Sequence, residues 1–172
     1  QTMIPISAPF PNNRPRRMRQ TAAIRDLAQE HRLTVNDLIW PLFVTDVPGA
    51  DTAVPSMPGV DRLTVDGAVR AAETAAGLGI PAICLFPYTD PALKTDLCEE
   101  AWNPDNLSNR AVRAIKAAVP DVAIMTDVAL DPYNAHGHDG LVRNGIILND
   151  ETVEALVKMA IAQVEAGADI LG

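Results

Sequence analysis

Apolar residues along the chain recur with two periods that take turns. Thr21 is a plausible cap for a helix running to about His31, with Ile24, Leu27 and Ala28 on one face. A strand follows at Pro41–Val44, with Pro41 expected at its start because proline cannot donate to a ladder. Thr64 caps a second helix whose Val65, Ala68, Val69, Ala72 and Ala76 share a stripe, closed by Gly77 and Gly79. The apolar run Ala82–Tyr88 reads as a buried strand. Ser108 opens the next helix, with Val112, Ile115 and Val119 inward and Pro120 as its stop, and Val122–Leu130 reads as the third strand. Asn149 or Asp150 caps a last helix, with Val153, Leu156, Val157, Ala160, Ile161 and Val164 as its core stripe and Gly167 as its end. Asp169–Gly172 starts a fourth strand.

Strand and helix in alternation imply right-handed crossovers and a parallel sheet. An open doubly wound sheet and a (β/α)8 barrel both satisfy this order. The stretch after the first strand, TDVPGADTAVPSMPGVD, lacks the glycine fingerprint of a dinucleotide-binding fold, which favours the barrel. A barrel takes about 250 residues, so four strands in 172 residues amount to half of one. Residues 1–20 read as an arm: Pro5, Pro9, Pro11 and Pro15 interrupt regular structure, and Arg14, Arg16, Arg17 and Arg19 form a basic cluster. That composition also fits a disordered tail, but Met3, Ile4, Ile6 and Phe10 are apolar residues a purely solvated tail would not need, so an arm packing on another subunit competes with it. Residues 21–172 are then expected to form the barrel half.

Composition narrows the function classes. A hydrophobic content of 48% with only 4% aromatics suits Ala-rich helices on buried strands. The net charge of −8 argues against general affinity for nucleic acid or acidic membranes. No apolar run reaches the ~18 residues a membrane span needs. Two cysteines, Cys84 and Cys98, are too few for a disulfide framework, and with no signal-peptide pattern a reducing cytoplasm is the expected compartment. Cys84 reads as a small core residue and Cys98 as a free loop thiol.

Candidate chemistry gathers after the third strand, in TDVALDPYNAHGHDG. Strand ends of parallel α/β folds carry catalytic groups, and Asp127 falls at this one. Asp127, Asp131 and Asp139 with His136 and His138 compose an acid/base cluster or a metal site; Asp131 and Asp139 offer hard oxygen donors suited to Mg²⁺, whereas zinc would want thiolates. The same residues are also good turn formers, so a solvated loop competes with both readings. Lys116 and Lys158 lie on helices at solvated positions, and Lys94 lies in the loop after the second strand.

TDVALDPYNAHGHDG resembles the third-strand loop of the porphobilinogen synthases (5-aminolevulinate dehydratases), with its D-V-x-x-x-x-Y-x-x-H-G-x-x-G pattern. RPRRMRQTAAIRDLAQEHRLTVNDLIWPLFV is similar to the family's arm end, first helix and first strand, VPSMPGVDRLTVD to its S-M-P-G-V segment, and VEAGADILG to the approach to its fourth strand. The resemblance implies a (β/α)8 barrel with an N-terminal arm, assembled as a homo-octamer from arm-exchanging dimers. It implies condensation of two 5-aminolevulinate molecules to porphobilinogen, with loss of two waters, in tetrapyrrole (heme) biosynthesis. Two Schiff-base lysines are expected beyond Gly172, so this segment alone is expected to be inactive. Zinc-dependent members carry three cysteines in this loop; Ala129, Asp131 and Asp139 stand at those positions here, which places the chain with the non-zinc, aspartate-rich branch. The resemblance makes Asp127, Asp131 and Asp139 the catalytic candidates and Tyr133, His136 and His138 the substrate-binding ones. It expects Mg²⁺, where present, as an allosteric ion at a subunit boundary. Two other readings stay open: an inactive assembly module, and another aldolase-like barrel that holds a divalent ion between Asp131 and Asp139.

Overall fold

The computed structural model describes residues 9, 11–12, 15–48 and 52–172. The chain divides into two compact units, Gln1–Thr34 and Val35–Gly172. Met3, Ile4, Ile6, Phe10, Pro5 and Arg14, on which much of the arm reading rests, lie outside the described residues. In the first unit, Pro15–Arg19 form a single 3-10 turn, a place where proline is tolerated because it begins the helix. Helix α1, Ala22–Ala28, follows, with Thr21 Oγ1 accepting from the Ile24 N–H at 3.2 Å. It buries none of its residues, and Leu27 is exposed. The first unit therefore takes in α1.

The second unit is built on a parallel sheet. Its strands are β1 (Ile39–Thr45), β2 (Arg62–Leu63), β3 (Ala82–Tyr88), β4 (Ala123–Thr126) and β7 (Ile170–Leu171), in the order β2-β1-β3-β4-β7. Pro41 stands third in β1 rather than at its start. It pairs with Cys84 on one side, while β2 joins the other side only from Phe43, so its missing donor falls where β1 is still an edge. Helices α2 (Val65–Leu78), α3 (Leu107–Ala118) and α4 (Asn149–Ala166) are the crossovers. A hairpin, β5 (Val142–Arg143) with β6 (Ile146–Ile147), precedes α4; Asn144 and Gly145 turn it with φ of 52° and 74°.

The caps explain the helix ends. Thr64 accepts from the Gly67 N–H, and Gly79, at φ 75°, ends α2 with left-handed backbone, leaving Gly77 inside the helix. Ala68, Ala72 and Ala75 are the buried residues of α2, and Ala76 faces outward. Helix α3 starts one residue before Ser108: Asn106 caps it, its Oδ1 accepting from Asn109 and its Nδ2 donating to the carbonyls of Glu100 and Ala101. That triple engagement suits a fully buried amide.

Helix α4 overturns the expected stripe. Ala155, Met159, Ala162, Gln163 and Ala166 are buried, while Val153, Val157, Ile161 and Val164 are 53–55% exposed. The small residues of α4 pack against α3 and the Glu99–Trp102 turn, and Gln163 finds polar partners at Thr126 and Asp127; bulk alone does not decide which stripe turns inward. The third strand is also shorter than expected, because Asp127–Leu130 leave the β3 ladder after the Leu85–Thr126 rung.

Alternation along the strands divides the sheet into two faces. Leu42, Val44, Ile83, Leu85 and Ile124 form one core with Ala68, Ala72, Ala111, Val112 and Ile115 of the helices. Pro41, Phe43, Phe86, Tyr88, Met125 and Ile170 point to the other face and are exposed or half-buried. None of the helices α2, α3 and α4 of this unit covers that face. A second apolar cluster, with Cys98, Ala101, Leu130, Tyr133, Leu141, Ala155 and Met159, holds the loop after β4 against α4.

Candidate functional site

The C-terminal strand ends carry a repeated pair that sequence reading passed over: Thr45–Asp46, Thr89–Asp90 and Thr126–Asp127. All three threonines are buried. Their aspartates differ in what engages them. Asp46 pairs with Arg110 of α3. Asp90 caps the turn Pro91–Leu93, accepting from the Ala92 N–H at 2.9 Å. Asp127 forms no ion pair among the described residues, and its charge reaches Cys84 on the uncovered face and Asp131 on the loop. Aligned small-polar and acidic residues at three strand ends are the sequence signal that could have pointed to this rim.

Asp131 opens a 3-10 turn, Asp131–Tyr133, and its carboxyl is raised above the ordinary carboxylate range. Burial is the largest cause, followed by the negative charge of Asp139; Asp127 adds to it and the positive charge of Lys94 opposes it. Asp127 and Asp139 therefore both lie within electrostatic reach of Asp131. Lys94, in the loop after the second strand, comes within electrostatic reach of Asp131 as well.

The other candidates are placed differently. Tyr133 is turned into the second apolar cluster, 1% exposed, its hydroxyl without a hydrogen-bond partner among the described residues and its ionisation pushed up mainly by burial. Placed there, it supports the loop and does not line an open surface. His136 Nε2 lies 3.0 Å from Asp96 Oδ1, both half exposed, beside a surface hollow of about 690 Å³ bounded also by Val142, Arg143 and Gly145. His138 Nδ1 accepts from the Gly140 N–H at 3.0 Å. Asn134 ties the loop together, its Nδ2 donating to the Gly140 carbonyl and its Oδ1 accepting from the His136 N–H.

Cys98 is a free thiol in a loop, as expected, but the loop does not expose it. It is fully buried at φ 57°, with Sγ near the carbonyls of Thr95 and Leu130, and burial with the charge of Glu99 pushes its thiol up to about 11. Cys84 is raised as well, by burial and by Asp127. Among the described residues no three His, Cys, Asp or Glu side chains gather as a metal shell requires.

At the opposite edge, Lys116 pairs with Asp169 at 3.0 Å, and Asp169 also accepts from the Ile124 N–H; that backbone bond is the largest cause holding its carboxyl below the usual range. Lys158 sits 5.4 Å over the Trp102 ring. Both lysines act as struts for the helix layer.

A sequence profile of the family described as delta-aminolevulinic acid dehydratase matches residues 12–172. The delta-aminolevulinic acid dehydratase of Rhodobacter capsulatus is 67% identical over 167 residues, covering 97% of this chain and 50% of that protein. That of Bradyrhizobium diazoefficiens is 54% identical over 158 residues, covering 92% and 45%. Among solved structures, delta-aminolevulinic acid dehydratase (porphobilinogen synthase) from Toxoplasma gondii ME49, in complex with the reaction product porphobilinogen, superposes with a TM-score of 0.86 at 46% identity, over 97% of this chain and 46% of that one. The chain spans about half the length of the curated relatives it matches. Its parallel sheet and crossovers are about half of a (β/α)8 barrel.

Proposed function

The chain belongs to the delta-aminolevulinic acid dehydratase family, and on that premise we propose that the whole protein is a lyase joining two 5-aminolevulinate molecules into porphobilinogen. The observation that carries the reading for these residues is Asp127, set at the end of β4 on the sheet's uncovered face and coupled to Asp131. The reaction forms a C–C and a C–N bond, releases two waters and needs protons moved at each. A carboxylate at a strand end suits that work.

The reading gives Asp127 proton transfer. Asp131 and Asp139 receive a substrate ammonium, since a cation between them relieves the repulsion that raises Asp131. The imine-forming lysines are assigned to the part of the barrel outside these 172 residues, because Lys116 and Lys158 are engaged as struts. His136 and His138 stay with substrate binding through the loop they shape, and Tyr133 moves to a supporting role. No step runs through a metal; Mg²⁺ is assigned an allosteric role away from the aspartate loop. The arm-exchanging homo-octamer and the cytoplasm complete the proposal. No helix of the described residues is long and apolar enough to cross a membrane.

The test is to incubate full-length protein with 5-aminolevulinate, trap imines with borohydride and map the modified peptides. Porphobilinogen should form, and the trapped lysines should lie outside residues 1–172. Adducts confined to Lys94, Lys116 or Lys158 would contradict the assignment.

A further inference from the structure

We infer that Gln163 is a positioning residue for Asp127, acting from helix α4 through a two-point clamp on the end of β4. The inference rests on the reading of Asp127 as the proton-transfer group. Gln163 is 1% exposed, and its amide is the one polar side chain among the buried residues of α4. Its Oε1 accepts from Thr126 Oγ1 at 3.0 Å, and its Nε2 donates to the Asp127 backbone carbonyl at 2.9 Å.

The orientation of the amide is dictated by chemistry. The Asp127 carbonyl can only accept, so the NH₂ group must face it; the Thr126 hydroxyl, which can donate, then meets Oε1. The carbonyl has need of that donor. The β3–β4 ladder ends at the Leu85–Thr126 rung, and on the β7 side the bonds run from the Gly172 N–H to Thr126 and from the Val128 N–H to Gly172. Asp127 is thus the first residue to leave the ladder on the β3 side, and Gln163 replaces the missing rung.

The two bonds grip the chain on either side of the Asp127 Cα, one at the preceding side chain and one at its own carbonyl. They fix the peptide planes from which the carboxylate projects. Neither bond touches the carboxylate, so Gln163 tunes where Asp127 points without sharing its proton. Periodicity along α4 does not report this role, because the partners of Gln163 come from β4 and the residue after it.

The test uses full-length protein and three variants. Gln163→Met keeps the volume and removes both bonds. Gln163→Glu restores the donor only when its carboxyl is protonated. Asp127→Asn is the control for the underlying reading. Gln163→Met should lower kcat about 10- to 100-fold with KM changed less than about threefold, and shift the limb of the pH–rate profile that Asp127→Asn abolishes. Gln163→Glu should recover turnover as pH falls, on a profile the wild type lacks. If Gln163→Met lowers the melting temperature but leaves kcat and the pH profile of the folded enzyme unchanged, Gln163 is structural only and the inference fails. If Asp127→Asn retains turnover, the reading of Asp127 itself fails, whatever the Gln163 variants do.

Discussion

The two faces of the sheet are made of similar residues and meet different fates. Leu42, Val44, Ile83, Leu85 and Ile124 interlock with α2 and α3 and are nearly solvent-free. Phe43, Phe86, Met125 and Ile170, one residue out of phase, are as apolar but half open. The first face is finished by elements within these residues; the second matches the side that points into the barrel in the family. The proposed chemistry belongs to the unfinished side. Asp127 and Tyr88 lie at its C-terminal rim, with Arg62 of β2 stacked 4.6 Å over the Tyr88 ring. A face whose lining must admit substrate is closed last and by distant sequence, whereas helix packing is settled locally.

That contrast can be broken by paired truncations. Ile83→Ala or Ile124→Ala should cost about 2–5 kcal/mol in denaturant unfolding, both in the 172-residue chain and in full-length protein. Met125→Ala or Ile170→Ala should cost less than about 1 kcal/mol in the 172-residue chain and about 2–5 kcal/mol in full-length protein, where the rest of the barrel buries them. Equal costs for the two faces in the shorter chain would erase the distinction.

A smaller effect sharpens it at the rim. Asp131 is raised in the fold, so its protonated form is the one the fold favours. That contribution is full below the unfolded pKa and is lost as pH rises through the folded value. Asp131→Asn should therefore stabilise at pH 7, by on the order of a degree or two in melting temperature given its exposure, and have no effect near pH 3. A variant less stable than the wild type at pH 7 would show that Asp131 gains more from its surroundings than it loses to Asp139.

Much of the framework was legible in sequence. Thr21 and Thr64 announced their helices, Ala82–Tyr88 is the strand expected residue for residue, and the aspartate loop follows β4 as read. The errors share a physical cause. Periodicity reports that a stripe is apolar, not whether a neighbour exists to cover it, so the Val153–Val164 stripe of α4 was placed inward. Composition reports that Gln163 is polar, not that its amide reaches Thr126 and the Asp127 carbonyl. Tyr133 and Cys98 close the second core, while Gln163 carries the hydrogen bonds that place Asp127. Tertiary partners decide each case, and no local window contains them.

Two aspartates at opposite ends of the sheet give the most direct test of the account. Asp127 sits at the C-terminal rim, facing the uncovered side, and Asp169 leads into β7, held by Lys116 and the Ile124 N–H. Turnover of 5-aminolevulinate by full-length protein should fall at least about 100-fold in Asp127→Asn. In Asp169→Asn, turnover per folded molecule should stay within about threefold of wild type, the loss appearing instead in stability above the carboxylate range and fading as pH falls through the depressed pKa of Asp169. Wild-type turnover by Asp127→Asn would contradict the central claim that the chemistry of this half-barrel resides at the C-terminal rim of its uncovered face.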